Sequence, residues 1–62
     1  MDREEIRNHW DALAQDDIAT AAERWKWVAE SSDEMDRMIW KESALFWEAQ
    51  HIRNKLIAET YN

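Results

Sequence analysis

The sequence predicts an all-α protein folded as an antiparallel helical hairpin. Its 62 residues include no Gly and no Pro, so helices meet few natural stops and tight hairpin turns lack their usual residues. Good helix formers are frequent, and Ala and Glu are the two commonest residue types. One polar break, residues 31–34, divides the chain into nearly equal halves. We therefore expect helices at about 3–30 and 33–60 within one small domain, residues 1–62.

The first helix is predicted to start beside Asp2, which stands three residues before Glu5 in the spacing of a capping box. Its apolar residues recur every three or four positions, but this period slips by one residue near Ala14. Asp16 follows the slip and has the chemistry of a helix cap. The first half is thus either one long helix or two short helices that meet near residues 15–17. The apolar residues are Ile6, Trp10, Leu13 or Ala14, Ile18, Ala21, Trp25 and Val28.

The second helix is predicted to be capped by Ser31, with Glu34 completing a capping box. It carries two apolar stripes at helical spacing, and we assign the larger one to the seam with the first helix and the smaller one to a second contact. The larger stripe includes one polar residue, Glu42. Its other members are Met35, Met38, Ile39, Leu45, Phe46, Ala49, Ile52 and Leu56, and the smaller stripe contains Trp40, Ala44, Trp47, His51 and Ala58.

A chain this short builds only a marginal core, and without cysteines it has no disulfide to reinforce it. Oligomerisation is the remaining means, so we expect two hairpins to form a homodimeric four-helix bundle. The alternative is a three-helix bundle within one chain, with the break at residues 15–17. Two near-equal helices around one turn resemble the Rop family of RNA-binding hairpin dimers. That resemblance covers length and patterning but no motif, so neither Rop residues nor RNA binding are transferred to this chain.

The charge distribution excludes several kinds of partner. The net charge is −6, and residues 1–36 hold four basic and eleven acidic residues, a net charge of −7. Direct binding of nucleic acid requires a basic face, which this chain lacks. No apolar run is long enough to cross a membrane, and a basic membrane-surface helix is disfavoured by the same charges. We expect a cytoplasmic protein that binds neither nucleic acid nor membrane.

The sequence offers little for catalysis or cofactor binding. Glu48 and His51 are spaced like the Glu-x-x-His pair that helical di-iron proteins turn inward, but one such pair arises easily in an acidic helix. An interface or solvated histidine is the favoured interpretation. Ser31 and Ser32 are better explained as caps than as nucleophiles, and a phosphate-binding loop is excluded because it needs glycine. We expect no enzymatic activity, no metal and no cofactor.

Two features of the sequence are not explained by these exclusions, its tryptophans and its acidic charge. Each of them suggests one function. Tryptophans are enriched in protein interfaces, so the leading hypothesis is a non-enzymatic protein–protein interaction module (an adaptor, assembly factor or small inhibitor). Its predicted partner-binding residues are Trp27, Trp40, Ala44, Trp47 and His51. The alternative is an acidic nucleic-acid mimic of the phage or mobile-element type, which inhibits a host nucleic-acid-binding protein. The acidic face predicted for that role consists of Asp11, Asp16, Asp17 and Glu23.

Overall fold

A computed structural model describes residues 1–62 as two antiparallel α-helices, α1 (Arg3–Glu30) and α2 (Glu34–Glu59). The hairpin is about 48 Å long and 13 Å wide, and it contains no β-strand. The predicted all-α hairpin is therefore confirmed. The alternative break at residues 15–17 is wrong, because α1 continues through it. Asp16 does not start a new helix, and its backbone carbonyl accepts a hydrogen bond from Thr20 Oγ1 at 3.0 Å.

Each helix begins at an aspartate whose carboxylate accepts a backbone hydrogen bond. The turn lies where it was expected, but the capping box predicted for Ser31 and Glu34 does not form. Asp2 caps α1, since its carboxylate accepts from the Glu5 N–H at 2.8 Å. Asp33 caps α2 in the same way and accepts from the Met35 N–H at 3.0 Å. Ser31 instead ends α1, because its N–H and Oγ both donate to the Trp27 carbonyl. The prediction that Ser31 caps the second helix is wrong, because the turn places Asp33 directly before it.

Small residues form the fully buried part of the seam between the helices. Every buried apolar residue is an alanine, and no large side chain is fully buried. Alanines at such a contact let two helix backbones approach closely. The seam follows a seven-residue repeat on both helices, which is the pattern of an antiparallel coiled coil. Its fully or nearly buried members are Ala14, Asp17 and Ala21 on α1, with Ala44, Asn54 and Ala58 on α2.

The larger apolar stripe of α2 faces away from α1. Its seven large side chains are between 48% and 63% exposed. The prediction that Met38, Leu45 and Ala49 serve the seam is wrong, because the smaller stripe containing Ala44 takes that position and leaves them on the opposite side of the helix. We call the opposite side the outer face of α2. It consists of Met35, Met38, Ile39, Glu42, Leu45, Phe46, Ala49, Ile52, Arg53 and Leu56.

Neither helix carries an apolar stretch of the length that a membrane crossing needs. Two regions of the hairpin are candidate functional surfaces. One is the seam, where the sequence placed the partner-binding residues. The other is the outer face of α2, whose large apolar side chains are about half exposed.

Candidate interaction surface

Two of the predicted partner-binding tryptophans contact each other beside the turn. The rings of Trp27 and Trp40 meet edge to face, with centroids 4.6 Å apart. The Arg24 guanidinium lies 4.2 Å from the centroid of the Trp27 ring, within the range of a cation–π contact. An aromatic pair of this geometry contributes about 0.5–1.5 kcal/mol beyond its area burial. This cluster therefore joins the two helices at the turn end of the hairpin.

The other predicted partner-binding residues also lie in the seam. Ala44 is completely buried, and Trp47 is half-buried beside it. The Nδ1 atom of His51 lies 2.7 Å from the Ala14 carbonyl oxygen. A carbonyl oxygen only accepts, so Nδ1 carries the hydrogen and donates a hydrogen bond to it across the seam. The structure thus brings the predicted residues together, and it gives them contacts within the chain.

A buried polar pair was missed by the sequence reasoning. Asn54 Nδ2 donates to the Asp17 carboxylate at 2.6 Å in the middle of the seam, and both residues are buried. The Oδ1 atom of Asn54 is buried without a hydrogen-bond partner. A polar pair inside a coiled-coil seam favours the one register in which its members meet. The available signal was the spacing, since Asp17 continues the seven-residue repeat through Ala14 and Ala21.

Polar contacts at the seam's edge engage both members of the Glu-x-x-His pair. The Trp25 indole N–H donates to Glu48 at 2.7 Å, and His51 is held by the Ala14 carbonyl. Lys55 lies 3.7 Å from Asp11 across the same edge. No group of three or more His, Cys, Asp or Glu side chains is placed to hold a metal ion. Glu48 and His51 therefore contribute to packing between the helices.

The predicted acidic face is not one continuous surface. Asp17 is only 8% exposed, so its assignment to an exposed face is wrong, because the side chain points into the seam toward Asn54. Asp11 is paired with Lys55, and Glu23 forms a 2.7 Å salt bridge with Arg24. Of these four carboxylates, Asp16 alone is exposed and lacks a salt bridge.

Seven of the nine exposed large hydrophobic residues of the molecule lie on the outer face of α2. Grouped along one side of one helix, they form a contiguous patch and are not scattered single residues. Two charged residues, Glu42 and Arg53, interrupt it, and neither forms a salt bridge within the hairpin. The stripe is recognisable from its helical spacing, but the prediction placed it in the hairpin seam. The outer face of α2 is therefore left largely exposed by the hairpin.

Replacing Trp25 with Phe is expected to lower the free energy of unfolding by about 1 kcal/mol, because the indole hydrogen bond to Glu48 is half exposed. Glu48→Ala should cost a similar amount, and the double variant should cost less than the two together. Thermal unfolding at one fixed protein concentration measures these differences. Strictly additive losses would show that this hydrogen bond does not couple the helices.

Comparison with protein-family models, with curated proteins and with solved structures finds no significant match to this chain.

Proposed function

We propose that this chain is a non-enzymatic protein–protein interaction module, and that the outer face of α2 is the surface through which it binds. The single observation that carries the proposal is the row of seven large apolar side chains, each about half exposed, along one side of a single helix. Such a face fits an amphipathic helix of another protein chain, because apolar residues at helical spacing interdigitate with a matching stripe.

The stability of the hairpin supports the same proposal. The seam buries four alanines and one polar pair, and it encloses no large side chain completely. Hydrophobic stabilisation grows with the apolar area removed from water, and the large side chains of the outer face still leave about half of theirs exposed. Covering the outer face with another protein chain would add the missing burial. The four-helix assembly and the protein partner predicted from the sequence both require such a surface and belong to this proposal.

In this proposal the residues predicted to bind the partner instead stabilise the hairpin. Trp27 and Trp40 meet edge to face and His51 donates a hydrogen bond to α1, so these residues hold the helix that presents the outer face. The acidic-mimic alternative has less support, since Asp17 is buried and Asp11 is paired. A phosphate mimic needs carboxylates that are free to meet a basic site.

Replacing Phe46 with Glu tests the proposal, because it places a charge in the middle of the outer face. Ala19→Glu is the matched control, since Ala19 is exposed on α1 and lies outside that face. Tagged wild-type and variant chains are incubated with extract of the native host, and bound proteins are quantified by mass spectrometry. We expect the same partner set for the wild type and Ala19→Glu, and a loss of about tenfold or more for Phe46→Glu.

Circular dichroism of each variant checks that helicity is retained. Partners that bind Phe46→Glu as well as they bind the wild type would place the interaction surface elsewhere and overturn the assignment to the outer face of α2.

A further inference from the structure

We infer that the occupant of the outer face of α2 is the same face of a second copy, packed antiparallel about a twofold axis near Trp47 and Glu48. This inference rests on the proposed function and names the partner of that surface. Because the outer face points away from α1, the four helices would lie in a row, with the two α2 helices in the middle. This arrangement differs from a square four-helix bundle, in which every helix contacts two neighbours.

The outer face contains a second seven-residue repeat of its own. Six residues follow steps of three and four along it, and they are Ile39, Glu42, Phe46, Ala49, Arg53 and Leu56. In an antiparallel helix pair, facing residues have positions that add to a constant. For a twofold axis between residues 47 and 48, this pairing sets Phe46 opposite Ala49 of the second copy, so that a large side chain meets a small one. The same axis sets Ile39 opposite Leu56 of the second copy.

The charges of the outer face match in this register. Glu42 lies opposite Arg53 of the second copy, and the twofold axis generates the pair twice. Both side chains are exposed, and neither has a salt-bridge partner within its own hairpin. A parallel pairing in equal register would instead set each residue beside its own copy, Glu42 against Glu42. Like charges placed opposite each other in an interface are unfavourable, so the antiparallel arrangement is preferred.

The exposed apolar side chains of the face favour a stable pair. A second copy would cover, on each partner, large side chains that are now 48% to 63% exposed, and burial of apolar area drives association. An interface made by one surface patch with its own copy is the usual form of a twofold homodimer. Area, repeat and charge therefore indicate the same occupant.

Charge exchange between two variants tests this register. Glu42→Arg sets like charges against Arg53 of the second copy, and Arg53→Glu sets them against Glu42. We expect each variant alone to dissociate at concentrations about tenfold or more above those at which the wild-type dimer dissociates. An equimolar mixture of the two variants should form a heterodimer, because both pairs then join opposite charges. Sedimentation equilibrium reports the molar mass against the 7.5 kDa of one chain.

Asp16→Arg makes the same change of charge on α1, outside the face, and should leave the dimer intact. Recovery in the mixture also excludes misfolding as the cause of the weaker single variants. A wild-type chain that stays monomeric at about 100 μM, where a dimer with a Kd of about 1 μM would be mostly assembled, overturns the inference. The proposed function would then still stand if Phe46→Glu abolishes capture of a different protein. A dimer that both charge variants leave unchanged also overturns this register.

Discussion

Replacing Ala21 with Leu is expected to lower the free energy of unfolding by about 1–3 kcal/mol, because the seam has no space for three more carbon atoms. Ala21 is 1% exposed, and the fully buried Ala44 belongs to the same seam on α2. A larger side chain must push the helices apart or adopt an unfavourable rotamer. Thermal unfolding followed by circular dichroism, at one protein concentration, measures the loss.

The neighbouring Ala22 supplies the control for this prediction. It has the same side chain on the same turn of α1, but it is exposed. Ala22→Leu should therefore change stability by no more than about 0.5 kcal/mol. Equal effects of the two substitutions would show that close packing at the alanine seam does not hold the helices together.

Replacing Asn54 with Ala is expected to cost about 1–3 kcal/mol, because it leaves the buried Asp17 carboxylate without its hydrogen-bond donor. Asp17→Ala leaves a neutral amide unpaired and should cost less. Removing both polar groups should cost less than the sum of the single losses, since no unpaired group then remains. Chemical unfolding of the four proteins gives the coupling free energy.

Asp16→Ala is the control here, because Asp16 is the exposed neighbour of Asp17 and makes no side-chain contact across the seam. Its stability should stay near that of the wild type. If the losses from Asp17→Ala and Asn54→Ala are simply additive, the pair does not act as a unit, and its proposed effect on register is contradicted.

The two helices and their turn could be predicted from residue types alone. The absence of Gly and Pro removes stop signals from the interiors, and the residues around Ser31 and Asp33 supply the only strong one. The residue that caps α2 was harder to predict. Ser31, Ser32 and Asp33 are all good caps, and they differ only in where the turn places them. The apparent slip near Ala14 arose because the polar Asp17 was not considered as a seam residue.

The orientation of α2 could not be read from hydrophobicity. Both of its stripes have helical spacing. The larger one was assigned to the hairpin seam because burying it would remove more apolar area from water. The structure instead buries small side chains on both helices, Ala14 and Ala21 on α1 with Ala44 and Ala58 on α2. Small side chains on both partners, which allow close approach, decided which faces meet. That property belongs to the pair of helices and is not visible in one helix read by itself.

The position of the Trp27–Trp40 contact also has a consequence for the order of folding. These residues are thirteen positions apart, whereas Arg3 and Thr60, which are hydrogen-bonded at the open end, are separated by 57. Closing the shorter loop costs about 1 kcal/mol less in chain entropy. We therefore expect the helices to associate first beside the turn and to zip toward the termini. The aromatic cluster would then act as the nucleus of the hairpin, and the alanine seam would form after it.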